Sequence, residues 1–186
     1  VVRVGPRTEA GDTFVIEILD ENPMELLQRI GAMPLPPYIR SSLTDLERYQ
    51  TVYARRMASA AAPTAGLHFT PELMARIIAK GVVVETVELV VGLDTFKPIS
   101  TDDPLDHLIH SEFYSVDQRV MDACKEAKRV IAIGTTATRA LESVAATGQL
   151  TGRTSLFITP GFQWKVVDMM LTNFHLPKTS LLLMIE

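Results

Sequence analysis

Apolar and polar positions alternate in two short runs near the start of the chain, Val1-Val2-Arg3-Val4 and Phe14-Val15-Ile16-Glu17-Ile18-Leu19, with turn formers including Gly11-Asp12 between them. This pattern predicts a β-hairpin. An isolated hairpin is marginal in water, so further sequence is expected ahead of it. Asn22-Pro23 reads as a helix start and Gly31 as its end. Pro34-Leu35-Pro36-Pro37-Tyr38 must be extended. A second helix is predicted from about Asp45 to Arg56. A third runs from Pro71 to Lys80, capped by Thr70 and closed by Gly81. Beyond it the pattern alternates. Val82 to Val91 is a β-branched strand run, and Val116 to Lys128 is helical. Arg129 to Ile133 is a short buried strand that enters another helix at Gly134-Thr135-Thr136, and Ser155 to Thr159 is a further strand. Such alternation predicts an α/β fold with a mixed, partly parallel sheet and flanking helices. In such folds functional groups collect at strand-to-helix turns.

The chain has 186 residues, 47% of them hydrophobic, enough for one good core with a small appendage. No apolar run approaches the roughly 20 residues of a membrane span, and no signal segment opens the chain, so a cytoplasmic location is expected. A net charge of -4 argues against a strongly basic nucleic-acid binder. A local patch from Arg40, Arg48, Arg55 and Arg56 stays open beside the plainer reading of a solvated face. The lone Cys124 falls in a predicted helix and reads as a packing residue.

Candidate chemistry concentrates in four places. In Ala61 to Thr70, Pro63 fixes one φ and Gly66 permits conformations closed to other residues, so the segment reads as a shaped loop presenting Thr64 and His68. A tight loop with a hydrogen-bonded packing histidine is the structural alternative. His107-Leu108-Ile109-His110-Ser111-Glu112 places two imidazoles beside a carboxylate. It suits part of a metal site, an acid-base pair in which Glu112 fixes the tautomer of His110, or plain structure. Gly134-Thr135-Thr136-Ala137-Thr138-Arg139 would turn free backbone N–H groups toward a carboxylate or phosphate, unless it is only a capped helix. It lacks the ending of a Walker loop. Finally, Thr159-Pro160-Gly161-Phe162, Asp168 and Leu171-Thr172-Asn173-Phe174-His175-Leu176-Pro177-Lys178 combine donors, acceptors and apolar residues suited to a heterocycle.

Read together, these segments resemble the S-adenosylmethionine:tRNA ribosyltransferase-isomerase family of queuosine biosynthesis. The resemblance is carried by Pro34 to Ile39, Arg48-Tyr49-Gln50-Thr51-Val52-Tyr53, Ala61 to Thr70, His107-x-x-His110-x-Glu112, Ile133-Gly134-Thr135-Thr136 with Arg139, and Thr172 to Lys178. They occur in the family's order and span nearly everything after Gly31. One segment departs: the family's Leu-His-Val-Gly-x-Gly-Thr-Phe reads Leu89-Val90-Val91-Gly92-Leu93-Asp94-Thr95-Phe96 here. The resemblance implies a larger α/β catalytic domain, residues 21–186, and residues 1–20 as the C-terminal hairpin of a smaller inserted β-barrel domain. It also implies that the chain continues at both ends.

The implied activity transfers the ribosyl group of S-adenosylmethionine to 7-aminomethyl-7-deazaguanine at the tRNA wobble position, giving epoxyqueuosine, adenine and methionine. S-adenosylmethionine is then a consumed cosubstrate, tRNA carrying the precursor base is the partner, and no metal and no membrane are expected. A monomer is the favoured state. A sulfonium acidifies the neighbouring ribose C–H, so an imidazole should remove that proton, and His68, His110 and His175 compete for the role. Adenine leaves with help from a second imidazole or Asn173. Glu112 or Asp168 accepts the proton of the attacking amine. Arg139 with the Thr135-Thr136 turn receives the methionine carboxylate. Arg48, Tyr49, Thr64 and Gly66 complete the expected substrate-binding set. The rival readings are a histidine- or metal-dependent hydrolase and a nonenzymatic tRNA-binding fragment.

Overall fold

A computed structural model of the chain describes residues 1–8, 14–32, 35, 39, 45–56, 58–92, 103, 109, 111–174 and 180–185. The chain divides into two compact units, Val1–Pro34 and Leu35–Glu186.

In the first unit, β1 (Val2–Arg7) and β2 (Phe14–Ile18) form the predicted antiparallel hairpin, with Val2 opposite Ile18 and Arg7 opposite Phe14. Arg3 and Glu17 face each other and form a 2.7 Å ion pair. The Arg7 guanidinium lies 5.1 Å from the Phe14 ring centroid. Helix α1 (Pro23–Ile30) follows, with Pro at its first turn and Gly31 closing it. Gly31 does not serve there by left-handed freedom, because its φ is -64°. A Cβ at that position would collide with the Leu27 carbonyl, so close approach makes glycine necessary.

The second unit has mixed α/β character. Strands β3 (Glu88–Val90), β4 (Glu112–Ser115) and β6 (Thr151–Thr154) form an antiparallel sheet in the order β3-β4-β6. A separate parallel pair joins β5 (Ile131–Ile133) to β7 (Met169–Leu171). Among the described residues, parallel and antiparallel pairing therefore sit in different small sheets rather than in one mixed sheet. Helices α2 (Pro71–Ala79), α3 (Gln118–Glu126), α4 (Thr135–Thr147) and α5 (Ser180–Leu183) accompany them.

Helix α4 is the central element, packing on β3, β5 and β6. Its Ala140, Leu141 and Val144 join Leu89, Tyr114, Val116, Val120, Met121 and Ala132 in the core. Each fully buried Leu or Val there contributes about 1.5–3 kcal/mol. The Tyr114 ring is 1% exposed, and its hydroxyl reaches Thr147 Oγ1 and the Gln149 carbonyl, both at 3.1 Å, which satisfies its polar end.

Three predicted elements differ. The helix expected over Asp45 to Arg56 is a single 3-10 turn, Leu46–Tyr49, because the Gln50 side chain takes the Thr51 N–H and Ala54 N–H turns back to the Thr51 carbonyl. The strand expected from Val82 to Val91 shrinks to Glu88–Val90, leaving Val82 and Val83 exposed. The strand expected at Ser155 to Thr159 lies earlier, at Thr151–Thr154, because the Leu156 carbonyl is taken by Arg139 Nε of α4 and its N–H by Thr154 Oγ1. Cys124 is half-buried on α3 against the core, as its packing role requires.

Candidate active site

Pro63 precedes a 3-10 helix, Thr64–His68, that ends as Phe69 N–H meets the Gly66 carbonyl at 3.1 Å. Thr70 Oγ1 then accepts the Leu73 N–H at 3.2 Å and starts α2. The short helix therefore runs between two fixed points. Gly66 is required for a different reason from the one its sequence suggests. Its φ is not positive, and a Cβ there would collide with the Tyr53 hydroxyl and crowd Thr51 Cγ2 at 3.0 Å. Burial pushes the Tyr53 phenol above its usual range, with a hydrogen bond from Thr51 opposing the shift. Tyr53 and Thr51 escaped sequence reasoning as site-shaping residues. The Leu46–Tyr49 turn also touches the Thr64–His68 helix, with Tyr49 buried and Arg48 exposed.

The parallel pair supplies the other wall. Gly134 has φ 90°, a value open to glycine, and its N–H donates to the Leu171 carbonyl at 2.8 Å. Gly134 at the N-cap has no side chain to cap α4, so among the described residues the first-turn N–H groups at Thr135 and Thr136 have no side-chain cap acceptor. A Cβ on Gly134 would lie 3.6 Å from Ala65 Cβ, which places the 3-10 helix against the β5-to-α4 turn. Asn173 follows β7, and its Oδ1 lies 3.0 Å from His68 Nε2. Thr64, Gly66, His68, Thr135, Thr136 and Asn173 thus gather where the two parallel strands end, the place where open α/β sheets bind ligands.

Glu112 and Arg139 meet each other. Their side chains are 5% and 11% exposed and form an ion pair. Arg139 Nε also donates to the Leu156 carbonyl at 3.1 Å, while Nη2 is buried with no hydrogen-bond partner among the described residues. The guanidinium is therefore held from two sides with one donor group left over.

Asp168 lies elsewhere. Its Oδ2 accepts the Val130 N–H at 2.7 Å and its own N–H reaches the Val130 carbonyl at 3.0 Å, pinning the start of the parallel pair, opposite to Asn173. It borders a cleft of about 560 Å³ that also includes Cys124 and Lys165. His107, His110, His175, Asp94 and most of Pro34 to Tyr38 lie outside the described residues. Val90, at a departure from the family pattern, pairs with Phe113 in the antiparallel sheet.

Glu142 was missed by the sequence reading. It is fully buried on α4, and its carboxylate accepts the N–H groups of Lys165, Val166 and Val167 at 3.1, 2.9 and 2.8 Å. An acidic residue among the apolar Ala140, Leu141 and Val144 was the available signal. Among the described residues, no three His, Cys, Asp or Glu cluster as a metal site would require.

A family profile described as queuosine biosynthesis protein matches residues 2–186. The chain belongs to this family. S-adenosylmethionine:tRNA ribosyltransferase-isomerase from Acaryochloris marina is 50% identical over 184 residues, covering 95% of this chain and 50% of that protein. The Desulforamulus reducens protein of the same name is 50% identical over 181 residues, covering 92% of this chain and 53% of its own length. The chain thus spans about half the length of these curated queuosine-biosynthesis relatives. A crystal structure of S-adenosylmethionine tRNA ribosyltransferase from Thermotoga maritima matches with a TM-score of 0.52 and 38% identity, over 65% of this chain and 39% of that one. The α/β character is shared with that structure.

Proposed function

We propose that the chain is part of an S-adenosylmethionine:tRNA ribosyltransferase-isomerase that forms epoxyqueuosine at the tRNA wobble position and releases adenine and methionine. The observation that carries this reading is the His68–Asn173 contact beside the uncapped start of α4. An amide oxygen only accepts, so His68 Nε2 carries the hydrogen and Nδ1 keeps a lone pair in the neutral ring. That lone pair can remove the proton that the sulfonium acidifies. The first-turn N–H groups of α4 and the leftover donor of Arg139 suit the methionine carboxylate. Glu112 fits better as the group that holds Arg139 than as the acceptor of the amine proton, and Asp168 as a strand pin. With His68 as the base, His110 and His175 are the candidates for the second imidazole that protonates the departing adenine.

The hairpin of β1 and β2 is, on this reading, the end of an inserted β-barrel domain. Among the described residues no helix is long and apolar enough to cross a membrane. Incubation with S-adenosylmethionine and tRNA carrying the precursor base, followed by chromatography for adenine, tests the proposal. Adenine should appear only when both substrates are present, and His68→Ala should abolish it. Full turnover by that variant would remove His68 as the base.

A further inference from the structure

Residues 155–168, between β6 and β7, contain no helix or strand, yet they are fixed at several points. Leu156 N–H donates to Thr154 Oγ1 and its carbonyl accepts from Arg139 Nε, both at 3.1 Å. Ile158 is 1% exposed and anchors the middle. Phe162 N–H closes a turn onto the Thr159 carbonyl at 3.0 Å, with Pro160 and Gly161 at the corner and Gly161 at φ 86°. Glu142 then holds three successive N–H groups from Lys165 to Val167. Between these anchors the segment carries Phe162 and Trp164 edge to face, with centroids 5.2 Å apart and planes at 81°. Trp164 is 44% exposed, and Lys165 beside it is exposed.

An exposed indole propped edge to face by the half-buried Phe162, on a segment held this firmly, costs little ordering when a flat partner arrives. We infer that Phe162 and Trp164 form a stacking platform for an unpaired RNA base, outside the group of residues around His68. This rests on the tRNA reading above. The net charge of -4 leaves little general attraction for phosphates, so the affinity for a single-stranded loop must come from stacking, with Lys165 placed for a neighbouring phosphate.

Trp164 is the chain's one tryptophan and therefore reports on itself. An RNA hairpin with an unpaired loop should quench its fluorescence saturably, whereas a fully paired duplex of equal length should not. Measured by anisotropy of the labelled hairpin, Trp164→Ala should bind about tenfold or more weakly and Trp164→Phe within a few fold of the original, with circular dichroism verifying the fold. Unchanged emission, equal quenching by the duplex, or quenching that follows protein concentration without RNA would overturn the platform. The wild-type titration decides even if Trp164→Ala does not fold. Adenine release is assayed separately, so failure of the transferase reading is recognisable on its own.

Discussion

His68 Nε2 lies 3.0 Å from Asn173 Oδ1, a contact between side chains 105 residues apart that joins the Thr64–His68 helix to the end of β7. Because the amide oxygen dictates which ring nitrogen carries the hydrogen, Asn173 sets the direction in which the basic lone pair points. Replacing Asn173 with Ala should release that choice. The expected result is an imidazole ¹⁵N spectrum of His68 shifted from an Nε2–H tautomer toward a mixture. Turnover should fall by about 10²-fold or more, with His68→Ala falling at least as far. An unchanged spectrum would show that Asn173 does not orient the ring.

The close approach at Gly66 predicts a steric defect. Gly66→Ala would drive a methyl into the Tyr53 hydroxyl and should cost about 1–3 kcal/mol in urea unfolding. Adding Tyr53→Phe removes the first clash and leaves contacts of 3.0 Å, so the double variant should recover part but not all of the loss. Equal midpoints for the single and double variants would contradict the contact.

Tyr53 also predicts an alkaline effect. Burial raises its phenol, so the folded chain binds that proton more firmly than the unfolded chain does. The contribution is complete below the ordinary tyrosine range near ~10 and is lost as pH rises through the folded value. Stability should decline on that side, and less steeply in Tyr53→Phe; parallel curves for the two proteins would count against it.

Glu142 predicts a large stability effect away from the candidate site. Glu142→Ala leaves three N–H groups, that of Val167 buried and those of Lys165 and Val166 half-buried, without their acceptor and should cost about 3 kcal/mol or more. Glu142→Gln should lie between, since its amide retains one accepting oxygen. Hydrogen exchange at Val166 and Val167 should accelerate in both variants, and unaltered protection there would exclude the carboxylate as the anchor.

The Cys124 thiol is raised first by burial and then by the negative charge of Glu85, so it stays protonated further into the alkaline range. Alkylation by iodoacetamide at mildly alkaline pH should be slower than for a free cysteine peptide, and Glu85→Gln should accelerate it. A rate matching the peptide would sink this account.

Much of the frame was legible because local rules and tertiary packing agree in it. The Thr70-Pro71 start of α2, the hairpin before Ile18 and the β5-Gly134-α4 turn all form where their residues predict. Legibility ends where a distant side chain captures the backbone. Arg139 takes the Leu156 carbonyl that a strand would have paired, Glu142 takes the N–H groups of Lys165, Val166 and Val167, and no local pattern near Ser155 announces it. For the candidate site, residue types were legible and their grouping was not. Arg139 and Glu112 were assigned separate duties, yet they occupy each other. Asp168 sits at the far end of the strand pair, which depends on the register of Ile131 opposite Met169. Gly66 and Gly31 were rightly singled out as glycines, but crowding rather than backbone freedom explains them.

Arg139 and Glu142 stand three residues apart on α4, and Thr135 and Thr136 open the same helix. One inserted or deleted residue between Thr136 and Arg139 would rotate everything downstream by about 100° relative to the first turn. The two threonines would remain at the strand ends while the arginine and glutamate swung off their carbonyl and amide targets. This stretch should therefore accept many changes of side chain and almost none of length.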